Sequence, residues 1–147
     1  MLIRNVEEVP SIPYGLGARK RVIFGEKENG PTFVMRVFEV PPGGASSDHC
    51  HDFEHEVLIL KGEGVLKGSW GDAPFAEGSA ILLQPNEQHQ LVNTGDESLH
   101  FMCAVPLRGE EADCITGGSG GRWRVIALIA AAMVILGVLI WGFSTRG

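Results

Sequence analysis

Cysteine is scarce: Cys50, Cys103 and Cys114 are the only three in 147 residues, and no two form a C-x-x-C pair. An odd count without that spacing excludes a disulfide framework and fits reduced thiols in a reducing compartment. Basic charge is scarce as well. The first 121 residues carry nine Lys and Arg against 18 Asp and Glu, a net charge of −9. Such a domain is not a nucleic-acid binder, because phosphate contact needs a basic footprint. Before residue 122 there is no 3.6-period stretch long enough for a substantial helix, and no internal repeat. The N-terminal stretch Met1–Tyr14 lacks the apolar run of a signal peptide.

What the chain does have is an uneven distribution of apolar residues. Mean hydropathy is +0.10, and most of the excess lies in the last 26 residues, which hold Arg122, Arg124 and Arg146 but no acid. Val125–Phe143 runs for 19 residues without a charged or strongly polar side chain. A helix needs about 20 residues to cross the ~30 Å bilayer core. Trp123 and Trp141 stand where indole rings favour the headgroup region. The competing reading, a buried core helix, is disfavoured because such helices nearly always carry a polar stripe. Thr116–Gly121 is a flexible Gly/Ser tether. The expected organisation is therefore a domain over residues 1–112, a linker over 113–122, one transmembrane helix over 123–143 and a polar tail over 144–147. Two Arg before the span against one after it place the domain in the cytoplasm, on a single-pass C-terminal anchor.

Residues 20–106 read as short β segments punctuated by Gly, Pro and Asn/Asp. The spacing predicts strands at Arg21–Phe24, Thr32–Glu39, Ser47–His51, Glu56–Lys61, Val65–Ser69, Ala80–Leu83, Gln90–Asn93 and Leu99–Val105. Breaks fall between them, one at Gly71–Pro74. Eight short strands with turn signals every 8–12 residues indicate an all-β sandwich or barrel. The segment Met1–Ala18 is left as an edge or swapped strand.

Three of the five histidines fall within seven residues, as His49-Cys-His-Asp-Phe-Glu-His55. Side chains alternate across a strand, so His49 and His51 share a face, and His55 rejoins it if it starts the next strand. Cys50, Asp52, Glu54 and Glu56 take the opposite parity. His89 lies 34 residues further on. Imidazole is the commonest protein ligand for metals and suits Zn, Cu, Fe and Ni. Against this, an isolated H-x-H in a β protein is more often a surface pair. A one-residue slip of the strand would make Glu56 rather than His55 the third ligand; six residues to Gly62 favour His55. His100 has no partner at ligand spacing and reads as structural.

The setting decides in favour of a site. Gly43-x5-His49-x-His51-x3-His55-x6-Gly62 resembles the first motif of the cupin superfamily, G-x5-H-x-H-x3-E-x6-G. Gly78-x6-Pro85-x3-His89-x3-Asn93 resembles the second, G-x5-P-x-G-x2-H-x3-N. His55 stands where the motif has Glu. Pro85 comes one residue late, and Asn86 replaces the motif's internal glycine; Asn tolerates the left-handed backbone that such a turn uses. The phrases Arg19–Val22, Phe33–Arg36, Phe53–Glu56 and Gln84–Glu87 are similar to the small, single-domain, four-histidine manganese cupins. The resemblance covers about residues 18–107 and not the apolar tail.

That resemblance implies a conical jelly-roll β-barrel with a divalent metal inside, held by His49, His51, His55 and His89. It implies manganese first, with Fe, Zn, Ni or Cu as other occupants. Four neutral imidazoles leave the ion's charge uncompensated and, in a six-coordinate ion, two positions free. Arg36, Phe101 and Cys103 fall at positions that line the cavity in the resembling proteins; the alternative roles are salt-bridge partner, core ring and small buried hydrophobe. The function implied is a metal-dependent oxidoreductase, dioxygenase-like, acting on a small organic substrate with O2 or peroxide. No acid near the ligands has inward parity, which disfavours proton abstraction unless Lys67 serves as the base. The second reading is a non-catalytic, metal-containing sensor or binding module for a small ligand, tethered to the membrane through 125–143. A homodimer through edge strands follows by analogy of fold.

Overall fold

The computed structural model describes residues 1–30 and 32–109. The expected linker, transmembrane helix and polar tail lie outside the described residues, as does Cys114. Among the described residues no helix is long and apolar enough to cross a membrane.

The described chain is a double-layered antiparallel β structure. Its strands are β1 Ile12–Tyr14, β2 Ala18–Phe24, β3 Phe33–Val40, β4 His55–Lys61, β5 Glu63–Gly68, β6 Gly71–Ala76, β7 Ala80–Leu83, β8 His89–Asn93 and β9 Leu99–Pro106. Six of them form one sheet in the order β1-β2-β3-β9-β4-β7, and three form the other, β6-β5-β8. Period-2 patterning builds both layers. Along β9 every odd residue is buried, and along β3 every even residue is. The buried faces turn inward and are largely apolar, and there the two layers share a core of Val34, Phe38, Leu91, Leu99 and Phe101. Phe38 and Phe101 are direct cross-strand partners, stacked with centroids 4.7 Å apart and planes at 10°.

Two sequence expectations meet a different outcome, while the edge strand expected before residue 18 is present. Ser47–His51 is not a strand. Its one β-bridge is His49↔His89, and it joins no ladder. The ring Nδ1 atoms of His49 and His51 instead bond to carbonyls two residues away, and such local bonds compete with a ladder. The expected break at Gly71–Pro74 lies inside β6, an edge strand, where proline's missing N–H costs no ladder bond. The segment before residue 18 supplies β1, which pairs with β2 from Ile12↔Lys20 to Tyr14↔Ala18. Arg21 fixes the preceding turn, donating to the Val9 carbonyl (3.1 Å) and to Glu7 (2.9 Å).

The glycines of the two motifs occupy positions that need them. Gly62 has φ 87°, and a Cβ there would come 3.1 Å from the Leu99 Cα. Asn86 adopts φ 67°, the left-handed conformation expected of it. Asn93, the last residue of the second motif, is 1 % exposed and ties the end of β3 to the loop between β8 and β9. Its Nδ2 donates to the Val40 and Glu97 carbonyls, each at 2.8 Å, and its Oδ1 accepts from Gly95 N–H at 3.0 Å. Truncation would strand these backbone groups. Asn93→Ala is expected to destabilise the fold by about 3 kcal/mol, read as a lowered urea midpoint at unchanged slope.

Candidate metal centre

Three histidines arrive from two places. His49 and His51 sit on the irregular segment between β3 and β4, and His89 opens β8. The two backbones are locked by a reciprocal pair: His49 N–H donates to the His89 carbonyl (3.2 Å) and His89 N–H to the His49 carbonyl (2.9 Å). Potential ligand nitrogens of His49, His51 and His89 all lie within 4.8 Å of one another. The rings themselves are 4.6 to 5.4 Å apart between centroids.

Each ring is held by its Nδ1. His49 Nδ1 donates to the Ser47 carbonyl (3.0 Å), His51 Nδ1 to the Phe53 carbonyl (2.7 Å) and His89 Nδ1 to the Glu87 carbonyl (2.8 Å). A carbonyl only accepts, so Nδ1 carries the proton and Nε2 keeps its lone pair. The Nε2 atoms of His51 and His89 are buried with no hydrogen-bond partner. Buried polar atoms are normally satisfied, so such orphans mark a place for a ligand. The donor set fits a divalent transition metal: nitrogens oriented by carbonyls, with the Nε2 lone pairs of His51 and His89 unused. His51 is further fixed by stacking on Phe53, with centroids 3.9 Å apart and planes at 4°.

His55 opens β4 and is 4 % exposed, its ring 5.4 Å from His51 and 5.5 Å from His89. The register therefore turns His55 inward, while Glu56 is exposed. The three-histidine cluster does not include His55, however, and its surroundings differ. Arg36 Nη2 lies 3.2 Å from its Nε2, and guanidinium can only donate, so that nitrogen accepts. The other nitrogen, Nδ1, is buried and unpartnered.

Arg36 and Cys103 are cross-strand partners on β3 and β9, both buried. Arg36 Nε donates to Cys103 Sγ at 3.2 Å, and the guanidinium lies 5.5 Å from the centroid of Phe38. Among the described residues Arg36 has no carboxylate partner, so the structure does not make it a salt-bridge residue. Phe101, with Tyr14, Phe38 and Leu91, walls the space beside His49, His55 and His89. That space is about 10 Å³, room for roughly one water-sized body. Cys103 reaches Arg36 but not this space.

Other expectations fall outside the barrel. Asp52, Glu54 and Glu56 are exposed, as their parity implied; so is Lys67, which is therefore no internal base. His100 sits on the face of β9 opposite Phe101. Three inward residues went unread in the sequence. Phe38 had a usable signal, since it shares parity with Arg36; Lys20, which pairs across from it, had none. Tyr14 had none, because β1 has only three residues and no apolar alternation.

Electrostatics keeps these histidines neutral. Burial, then the neighbouring Arg36 charge, pushes His55 down to about 2. Burial pushes His89 down to about 4 against its bond to the Glu87 carbonyl, and lowers His51 as well. Burial raises the Cys103 thiol, with Arg36 pulling the other way. The unfolded chain takes up protons near pH 6.5, where the fold does not. Stability of the metal-free protein is therefore present above pH 6.5 and is lost as pH falls from there toward about 4, where His89 protonates in the fold. The expected slope is about 1.4 kcal/mol per pH unit for each histidine so held. Urea titrations at pH 7, 6 and 5 check this; a flat midpoint would refute it.

Known proteins resemble the chain in sequence and in fold. Residues 36–105 match the cupin domain family. A 1-methylthio-D-xylulose 5-phosphate methylsulfurylase from Rhodospirillum rubrum is 33% identical over 125 residues, covering 85% of this chain and 78% of that protein. An oxalate-binding protein from Thermotoga maritima is 34% identical over 70 residues, 47% of this chain and 58% of that one. Among solved structures, a cupin-2 domain from Rhodospirillum rubrum superposes with a TM-score of 0.66 at 27% identity, over 90% of this chain and 92% of that one. The double-layered fold, the two glycine-bounded motifs and these similarities lead to one conclusion: the chain belongs to the cupin superfamily.

Proposed function

We propose that the protein is a metal-dependent oxidoreductase of the four-histidine manganese subgroup, acting on a small organic substrate with O2 or peroxide. His49, His51 and His89 would hold the ion, with His55 as the fourth ligand. The observation that carries this reading is the pair of buried, unpartnered Nε2 atoms on His51 and His89, beside three Nδ1 atoms tied to carbonyls. A bound redox-active ion would supply the electron transfer that triplet O2 requires. The chain's own residues do the rest. Carbonyls of Ser47, Phe53 and Glu87 fix the ring tautomers. Tyr14, Phe38, Leu91 and Phe101 keep bulk water from the histidines. Arg36 puts a buried positive charge beside His55, Cys103 and Phe38 back it, and Phe101 stacks behind Phe38. With the nearby acids and Lys67 exposed, proton abstraction from substrate has no internal base, which favours redox chemistry over isomerisation.

The proposal extends to the tail: residues 123–143 anchor the domain over 1–112 to a membrane, on its cytoplasmic side, through the linker 113–122. A lipid-soluble substrate or a membrane partner gives that tether a purpose. A homodimer is favoured by the outer face of the six-stranded sheet, which exposes Phe33, Met35, Leu58 and Leu82.

One observation favours the second reading, a non-catalytic small-ligand module. The histidine space of about 10 Å³ admits no organic substrate without movement of its walls. The two readings separate in one experiment. Manganese-loaded protein is incubated with O2 or peroxide and a styrene-type alkene, and aldehyde is measured. The oxidoreductase yields aldehyde, and His49→Ala with His51→Ala abolishes both turnover and bound metal. Stoichiometric metal retained by the double variant refutes the ligand assignment. No turnover with any redox metal, alongside tight binding of a small ligand, selects the binding module.

A further inference from the structure

The fourth histidine is met by a side chain rooted two strands away. Arg36 lies on β3, Cys103 opposite it on β9, and Val57 opposite Cys103 on β4, two residues from His55. Neighbouring strands are about 4.8 Å apart, so Arg36 and His55 stand on strands roughly 10 Å from one another. The short side chain at Cys103 leaves the path between them open, and its sulfur lines it. Arg36 Nε donates to Cys103 Sγ at 3.2 Å, and the Phe38 ring centroid lies 5.5 Å from the guanidinium. Arg36, Cys103 and His55 are all buried.

The guanidinium is met by groups that carry no charge. Among the described residues its partners are a thiol, an imidazole and an aromatic ring. A buried cation needs strong acceptors, and sulfur is a weak one. The imidazole lone pair of His55 is therefore the best acceptor Arg36 has.

The consequence falls on His55. Arg36 Nη2 stands 3.2 Å from His55 Nε2, and a guanidinium only donates. Nε2 accepts, so in the neutral ring Nδ1 carries the proton, and that nitrogen is buried without a partner. His51 and His89 are arranged the other way. Their Nδ1 atoms donate to carbonyls, and their Nε2 atoms have no partner. Ligand nitrogens of His49, His51 and His89 lie within 4.8 Å of one another, in a set that does not extend to His55. One lone pair cannot serve a guanidinium N–H and a metal ion together.

We propose that Arg36 and the metal ion compete for the Nε2 lone pair of His55, which makes His55 an exchangeable fourth ligand and Arg36 the positioning residue that sets how tightly the centre holds its ion. The proposal rests on reading the histidines as a metal centre. Three ligands are ready-made, and the fourth is gained only by parting from Arg36. The guanidinium then stays buried with a thiol and a ring as its partners, and the free energy of that parting is lost from metal binding.

Metal titrations on the full chain in non-ionic detergent test this, with Mn(II) followed by EPR in the parent, Arg36→Met, His55→Ala and the double variant. Arg36→Met is expected to tighten Mn(II) binding at least about tenfold, the worth of one charge-assisted hydrogen bond. In the His55→Ala background the gain from the same substitution is expected to be at least about fivefold smaller, what remains being relief of charge repulsion. An equal gain in both backgrounds would assign the whole effect to repulsion and overturn the proposal. So would an affinity for Arg36→Met within about threefold of a parent that binds Mn(II). Ring-nitrogen NMR shifts of the chelator-treated parent give a readout that needs no variant. His55 is expected as the Nδ1–H tautomer, with its Nε2 shifted as a hydrogen-bond acceptor relative to those of His51 and His89. His55 as the Nε2–H tautomer, or with the same Nε2 shift as His51 and His89, overturns the competition while leaving the metal centre intact. A parent that binds no divalent metal is a different failure, which removes the centre and the competition with it.

Discussion

Three hydrogen bonds, each from a histidine Nδ1 to a main-chain carbonyl, determine what the centre of this protein can be. They decide the tautomer of His49, His51 and His89 before any ligand arrives. Without them a neutral imidazole is free to present either nitrogen, and convergence of lone pairs would be one arrangement among several. With them, the lone pairs belong to Nε2, and burial makes those nitrogens costly to leave unmatched. The acceptors are the carbonyls of Ser47, Phe53 and Glu87, each two residues from its histidine. Ring orientation is thus a property of local backbone, and the barrel's task is to bring two such backbones together. The reciprocal His49–His89 pair performs it.

His55 shows what happens where that device is absent. It is placed by a regular strand, and its ring is met by a side chain instead of a carbonyl. The Arg36 charge lies 3.2 Å away in an environment of thiol, imidazole and aromatic rings. In such surroundings a charge acts with little screening, and its first effect is to forbid protonation of His55. A cation there would also oppose a second cation, so an ion held beside His55 would meet repulsion from Arg36.

Much of the architecture was legible because a period of two is hard to hide. The alternation along β3, β4, β8 and β9 sorted inward from outward residues, and it put His55 inside and Glu56 outside. It also put Arg36, Phe101 and Cys103 on the inner face. The same rule misled at Ser47–His51. There the shared direction of His49 and His51 comes from side-chain bonds to carbonyls, and no ladder enforces it. Equal parity gave the right grouping for a reason that did not apply. Gly71–Pro74 was misread because glycine and proline signal a break everywhere except on an edge strand. Tyr14 and Lys20 were invisible for a different reason: a three-residue strand carries no period, and a lysine in a polar-looking stretch gives no hint of burial.

The departures from the second motif illustrate how a turn can change while a ligand does not. Pro85 and Asn86 stand where the family pattern has an earlier proline and a glycine. The altered turn still reaches left-handed backbone at Asn86, φ 67°, where asparagine is one of the few non-glycine residues tolerated. It also gains a bond: Asn86 N–H donates to the His51 carbonyl at 2.6 Å. The turn before His89 is therefore fastened to the segment carrying His51, and His89 itself is fastened to His49. Main-chain links therefore stand beside each early histidine, His49 to His89 and His51 to Asn86. A shift of either segment would have to break both, so the three imidazoles are positioned as a unit. The interval from Gly78 to His89 equals that of the motif it resembles, and the double link holds with Pro85 and Asn86 in the turn.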